Sequence, residues 1–299
     1  MKLIKTVLVA TDFGAAAGEA LKTASFVARQ FDSHVILLHV MPDDVEASEA
    51  ERSAVEAELT NRLQEMAKTL CAEGVKTTET LLCSGDEFTL IDREAQQREV
   101  NVVIIGAGRA GSDGQFYLGA TAAGLRRRST KPVWIVPPVP FSGINKILCP
   151  VDLLEASSHA LRNAIHLARR FGSELTVLTV VQSLSSYYDM PSDPKDVPLQ
   201  SSFVKTRLGE FDRYLRGFDF EGVTWKKAIR PGKPHREILK TARENGTDLL
   251  VMGSVGRSGI SRLLIGGVAR KVAQRSPCSI ITVRSEDPVQ LHIDHEVPK

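Results

Sequence analysis

The 35 residues that begin at Thr6, TVLVATDFGAAAGEALKTASFVARQFDSHVILLHV, align without a gap on those that begin at Lys146, KILCPVDLLEASSHALRNAIHLARRFGSELTVLTV. Asp12 falls on Asp152, Ala20 and Leu21 on Ala160 and Leu161, Ala28 and Arg29 on Ala168 and Arg169, and Phe31 on Phe171. One offset held over that length marks a tandem duplication. A period near half the chain implies two copies of one domain rather than a solenoid of short units. The chain of 299 residues is long enough for two cores. The prolines and glycine of VPPVPFSGIN, residues 136–145, are linker chemistry. The expected domains are therefore residues 1–140 and 144–285, followed by a polar tail, 286–299.

Within each half, apolar runs alternate with amphipathic stretches, the pattern of an α/β fold with a parallel sheet covered on both faces. Strands are expected near 3–10, 33–40, 75–83, 101–106 and 132–137, and again near 145–151, 173–181, 222–230, 247–253 and 278–284. Long helices are expected at 15–31 and 155–171. The Val, Ile and Leu content of these runs is nearly continuous, as in strands buried on both sides. MPDDVEASEAER reads as a short loop, and SLSSYYDMPSDPKDVPLQ, residues 183–200, as a long one in which Tyr187 and Tyr188 could cover a ligand.

Composition excludes several classes. No apolar run reaches the roughly 18–20 residues that span a bilayer, and the run in MKLIKTVLVATDFG ends at Asp12, so it reads as a first strand rather than a signal peptide. With 38 Lys plus Arg against 36 Asp plus Glu, the chain lacks the basic surplus that a nucleic-acid partner favours. Cys71, Cys83, Cys149 and Cys278 have no CxxC spacing, and His292 and His295 stand on the tail, so neither disulfides nor a metal is expected and the cytoplasm is the expected home. GxxxxGK[ST], GxSxG and HExxH are absent, which leaves P-loop hydrolysis, a nucleophile elbow and a zincin without support. A literal GxGxxG, Gly106 to Gly111, follows a fourth strand instead of a first and has no acidic residue at the proper distance, so a dinucleotide fingerprint is not supported either.

The most informative segment is MGSVGRSGISRLLIGGVARKVA in the second half. Gly253, Gly256 and Gly266 allow tight turns and bring backbone N–H groups to a ligand without Cβ obstruction, while Gly267 opens a helix whose free N–H groups favour anions. This is chemistry suited to a phosphate cradle, although glycines of a plain turn would look the same.

The spacing GSVGRSGISRLLIGG, the Asp at the end of each first strand, the LLHV ending of the second strand, the GDEF and GKPHREIL segments and the KPVWIV and CSIITV last strands together resemble the universal stress protein family, in a tandem arrangement covering both halves. The resemblance implies two Rossmann-like (HUP-type) domains, each a five-stranded parallel sheet of order 3-2-1-4-5. It also implies adenine-nucleotide binding. In the second half, Pro150, Val151 and Asp152 would meet the base and ribose, Val180 would offer a backbone contact, and Gly253, Gly256, Gly266, Gly267 and Val268 would take the phosphates, with Arg257 in reach of them. The family usually carries Ser or Thr where Gly267 stands, so one phosphate hydrogen bond, worth roughly 0.5–1.5 kcal/mol, is missing.

The first half departs further. Thr11, Asp12 and Val40 keep the strand-end signature, and Gly106 and Gly119 match Gly253 and Gly266, but Arg109 replaces Gly256 and Ala120 replaces Gly267. A weaker or empty site is expected there. Residues 1–143 carry 15 basic and 19 acidic side chains against 23 and 17 in the remainder, so the half with the fuller motif is also the basic one. The resemblance thus implies a non-catalytic stress-response protein binding ATP, with ADP or AMP as alternatives and Mg²⁺ as a companion ion. A slow ATP hydrolase or phosphotransferase and a nucleotide-free interaction module are the rival readings. The family's habit of pairing last strands implies an intrachain pseudo-dimer, with a homodimer and an unknown protein partner as further associations.

Overall fold

A computed structural model describes residues 4–43, 46–108, 116, 118–182, 202–253 and 266–283. Arg109, Gly256, Arg257, Tyr187, Tyr188 and the tail with His292 and His295 lie outside the described residues. The chain divides into two compact units at Gly143 and Ile144.

The first unit runs β1 (Thr6–Ala10), α1 (Ala15–Phe31), β2 (His34–Met41), α2 (Glu49–Ala72), β3 (Thr77–Ser84), α3 (Glu87–Gln97), β4 (Val102–Gly106), α4 (Ala120–Arg128) and β5 (Val133–Val136). Its strands are ordered β3-β2-β1-β4-β5 and are all parallel. The second unit repeats the plan with β6 (Lys146–Val151), α5 (Glu155–Phe171), β7 (Glu174–Val181), α6 (Ser202–Leu215), β8 (Trp225–Pro231), α7 (Pro234–Asn245), β9 (Leu249–Gly253), α8 (Gly267–Ala273) and β10 (Ser279–Val283). Its order, β8-β7-β6-β9-β10, is the same arrangement. Each unit is therefore a parallel sheet of order 3-2-1-4-5, as the resemblance implies.

The central strands form because every side chain finds cover. Val7, Leu8 and Val9 have no exposed surface, and Leu148 and Cys149 in β6 are equally enclosed, which requires packing on both faces. Helix α1 lays Ala16, Ala17, Ala20, Ala24, Val27, Ala28 and Phe31 on the sheet; the small side chains let it approach closely. It ends on Asp32 at φ 56, and α5 ends at the matching Gly172 at φ 68, both left-handed positions that Gly and Asp tolerate best. Two hydrogen-bonding devices recur in both units, the first of them buried. The Ser33 and Ser173 hydroxyls donate to the carbonyls of Ile4 and Ile144. Asn101 accepts from the N–H groups of Lys5 and Thr6, as Asp248 does from those of Asn145 and Lys146.

Several expected boundaries shift by one to three residues, the first strand beginning at Thr6 rather than residue 3, and two of the shifts have a visible cause. The strand expected from residue 222 begins at Trp225, because Gly222 stands at φ 70 and Val223 N–H closes a turn onto Phe220 O. The loop expected over MPDDVEASEAER ends at Ser48, because Ser48 and Glu51 form a reciprocal capping box that starts α2 at Glu49.

Candidate functional site

In a parallel sheet of this order, connections leave the central strand to opposite sides, and the crevice outside the carboxyl ends of its strands is where ligands bind. In the second unit that crevice lies beyond β6 and its neighbours β7 and β9. A cavity of about 570 Å³ opens there, within the usual range for small-molecule sites. Pro150, Val151, Asp152, Val180, Gly253, Gly266, Gly267 and Val268 all line it. Sequence reasoning missed Leu153, Ser157, Thr179, Arg207, Pro234 and Met252, which line it too.

The strand end is held by local chemistry. Asp152 Oδ1 accepts from the Leu154 N–H at 3.1 Å, an Asx turn that reverses the chain and leaves Leu153 at φ 67. Thr179 Oγ1 donates to Val151 O at 3.1 Å, joining the ends of β6 and β7. Ser157 Oγ donates to Leu154 O at 2.8 Å, securing the first turn of α5. Behind it the Tyr214 hydroxyl lies 3.1 Å from Ser158 Oγ and 3.3 Å from Ser157 Oγ. Burial pushes the pKa of the Tyr214 phenol up to about 12, against the opposing pull of those two hydroxyls, so it donates or accepts hydrogen bonds but does not ionise at neutral pH.

The glycines divide by what their bare backbone serves. A Cβ on Gly253 would stand 2.9 Å from Ala156 O and 3.1 Å from Ala156 C, so the first turn of α5 already demands glycine there. Gly106 is placed likewise, with Ala16 Cβ at 2.7 Å and Ala16 C at 2.8 Å. A Cβ on Gly267 would meet nothing within 4 Å. The absence of a side chain there leaves open space at the cavity wall.

Beside the lining Pro234, His235 is held below the ordinary histidine range by burial and by the charges of Lys271, Arg236, Lys233 and Arg275. Those four cations stand near enough to His235 to disfavour its charged form. Among the described residues no group of three or more His, Cys, Asp or Glu is arranged to hold a metal ion.

In the first unit, Thr11, Asp12, Val40, Gly106, Gly119 and Ala120 occupy corresponding strand ends and helix starts. Thr11 is buried and its N–H reaches Leu38 O at 2.9 Å. Asp12 Oδ1 accepts from the Gly14 N–H at 2.8 Å. The Gly119 N–H is taken by Ala107 O at 3.0 Å.

The repeat, the sheet order and the cavity can be set beside known proteins. The model of the universal stress protein family matches residues 3–137 and again residues 143–284. The chain belongs to the universal stress protein family. It is similar to the universal stress protein YxiE of Bacillus subtilis, 32% identical over 147 residues, which is 47% of this chain and 99% of that one. A universal stress protein of Mycolicibacterium smegmatis is similar along both units, 24% identical over 294 residues, covering 93% of this chain and 96% of the other. The crystal structure of a universal stress protein from Archaeoglobus fulgidus shares the fold with a TM-score of 0.72 at 20% identity, over 94% of this chain and 98% of that one. Among the described residues no helix is long and apolar enough to cross a membrane.

Proposed function

We propose that the second unit binds one adenine nucleotide, ATP in the first instance, and that this tandem universal stress protein works by nucleotide-dependent binding rather than by turnover. One observation carries the reading: the residues that the family resemblance marks at the ends of β6, β7 and β9 and at the start of α8 line a single cavity of about 570 Å³. Pro150, Val151 and Asp152 are assigned to the base and ribose, Val180 to a backbone contact, and Gly253, Gly266, Gly267 and Val268 to the phosphates. Gly256 and Arg257 join the phosphate group on the sequence alone.

The test is to purify the chain without added nucleotide, denature it, and identify what is released by chromatography and mass spectrometry. About one ATP, ADP or AMP per chain is expected, and an empty chain that also fails to bind ATP in titration, with and without Mg²⁺, would refute the reading. Asp152→Ala should weaken binding at least tenfold. ATP held with the protein should remain intact over hours. Association with a second copy or a protein partner belongs to the same proposal, and a change of hydrodynamic size on adding ATP tests it.

A further inference from the structure

Helix α6 reaches the second unit's cavity from a side that the glycine positions do not occupy. Its residues 207, 211 and 214 are spaced by four and three, which puts them on one face of the helix. Phe211 is fully buried, and the Tyr214 hydroxyl is held against Ser157 and Ser158 in the first turn of α5. These two contacts fix the rotation of α6, and the third residue of the stripe, Arg207, comes to line the cavity. Arg207 Nη1 donates to Glu210 Oε2 at 2.7 Å, which ties one edge of the guanidinium in its own plane. The strand order β8-β7-β6-β9-β10 separates β7, which precedes α6, from β9, which precedes α8. Two strand spacings amount to about 9–10 Å. Gly253 and Gly266 to Val268 line the cavity on the β9 side, whereas Leu178, Thr179, Val180 and Arg207 line it on the β7 side. The first unit shows what an arginine of this helix can reach. There Arg62, from α2, holds its guanidinium 4.0 Å from the centroid of the Phe13 ring, just past the end of β1. Leu153 stands in the place of Phe13 in the second unit, so the chain itself supplies no ring at that point.

We propose that Arg207 is a base-holding residue of the second unit: its guanidinium lies against the face of a purine in the cavity and takes no part in binding the phosphates. The proposal rests on the nucleotide reading of this cavity and adds to it a contact from a helix that carries none of the strand-end or glycine-loop positions. A guanidinium is planar, weakly hydrated and drawn to a π-face, whereas an ammonium is a compact and strongly hydrated point charge. Lysine therefore replaces arginine poorly on a base and adequately on a phosphate.

Calorimetric titration of the full chain with ATP, ADP and AMP, comparing the wild type with Arg207→Ala and Arg207→Lys, tests the assignment. The Arg207 side chain is 32% exposed, so neither change empties a core, and melting curves verify the fold. Both variants are expected to weaken all three nucleotides by one common factor, roughly 3- to 30-fold. A loss that grows from AMP to ATP, or an affinity that lysine restores, would put Arg207 on the phosphates and overturn the proposal. Variants that bind as the wild type does would overturn it too. In each of those cases the wild type still binds, and the nucleotide reading of the cavity stands. A wild type that binds none of the three nucleotides sinks that reading and the proposal together, so the two failures are told apart.

Discussion

Replacing Gly253 by Ala separates a glycine needed by the fold from one needed by a ligand. The added methyl would stand 2.9 Å from Ala156 O, 3.1 Å from Ala156 C and 3.4 Å from Ser157 N. All three are backbone atoms of the first turn of α5, so relief requires the helix start to move by several tenths of an ångström. Overpacking of this kind costs about 1–3 kcal/mol. Alanine returns about 0.4–1 kcal/mol by restricting the unfolded chain. The net loss is then about 1–2 kcal/mol, which for a unit of this size lowers its melting temperature by about 3–7 °C. Gly106→Ala meets Ala16 Cβ at 2.7 Å, Ala16 C at 2.8 Å and Ala17 N at 3.0 Å, so it should cost more. Gly267→Ala meets nothing within 4 Å and should be neutral or stabilising by up to about 1 kcal/mol, as Ala for Gly in a helix usually is.

Calorimetry on the nucleotide-free chain tests the order directly, with hydrogen exchange in β9 and the first turn of α5 locating the Gly253→Ala effect. If Gly253 were bare only so that a phosphate could approach, its alanine variant would melt with the wild type and lose affinity alone. A melting temperature within about 1 °C of wild type would refute the packing argument, as would a Gly267→Ala variant that is destabilised as much.

Gly267→Ser restores the hydroxyl typical of the family into open space, and calorimetric titration should show ATP binding tightened by about 0.5–1.5 kcal/mol, roughly 2- to 12-fold; no gain would mean that the phosphates lie elsewhere. Native thiol titration should label exposed Cys71 first and Cys83 more slowly, while Cys149 and Cys278 wait for denaturant, since burial raises the Cys149 thiol steeply and holds Cys278 at about 12; rapid labelling of Cys149 in the folded chain would contradict the packing of β6. His166 is held below its ordinary value of 6.5 chiefly by burial and also by Arg169, with Asp219 opposing. The unfolded chain therefore takes up this proton first, so stability is level above about pH 7 and falls as pH drops from near 6.5 toward the lower folded-state value; His166→Gln should flatten that part of a denaturation-against-pH profile, and an unchanged slope would refute the assignment.

The duplication made the sheet legible, because a βαβ pattern that repeats in register fixes ten strands and leaves few orders open. Strand interiors were easy to place, since Val7 to Val9 and Ile147 to Cys149 must be covered on both faces. Ends were harder: nothing apolar distinguishes Val223 from Trp225, and the turn at Gly222 decides. The start of α2 was written in the Ser48–Glu51 capping box yet passed for loop, because the acidic composition of the segment hid the S-x-x-E spacing. At the candidate site, Asp152 and the glycines stand out as residue types. Arg207 and Met252 do not, since one resembles any helix arginine and the other any core residue. The neighbour that would meet a Cβ at Gly253 comes from a helix nearly a hundred residues earlier, which no local motif encodes.

The repeat also serves as an internal comparison. Where the halves agree, as at Ser33 and Ser173, the contacts join the beginnings of strands and satisfy buried carbonyls, and leaving one unmade would cost about 1–3 kcal/mol. Where the halves differ in bulk while keeping one backbone, as at Phe13 and Leu153 or His39 and Thr179, the positions cluster at the opposite, carboxyl ends of the strands. The sheet needs little of those side chains beyond one hydrogen bond to a carbonyl, which histidine and threonine both supply. Two copies bound to the same fold were therefore free to diverge at the crevice, and the divergence reaches the ring of Phe13 without moving the strand beneath it.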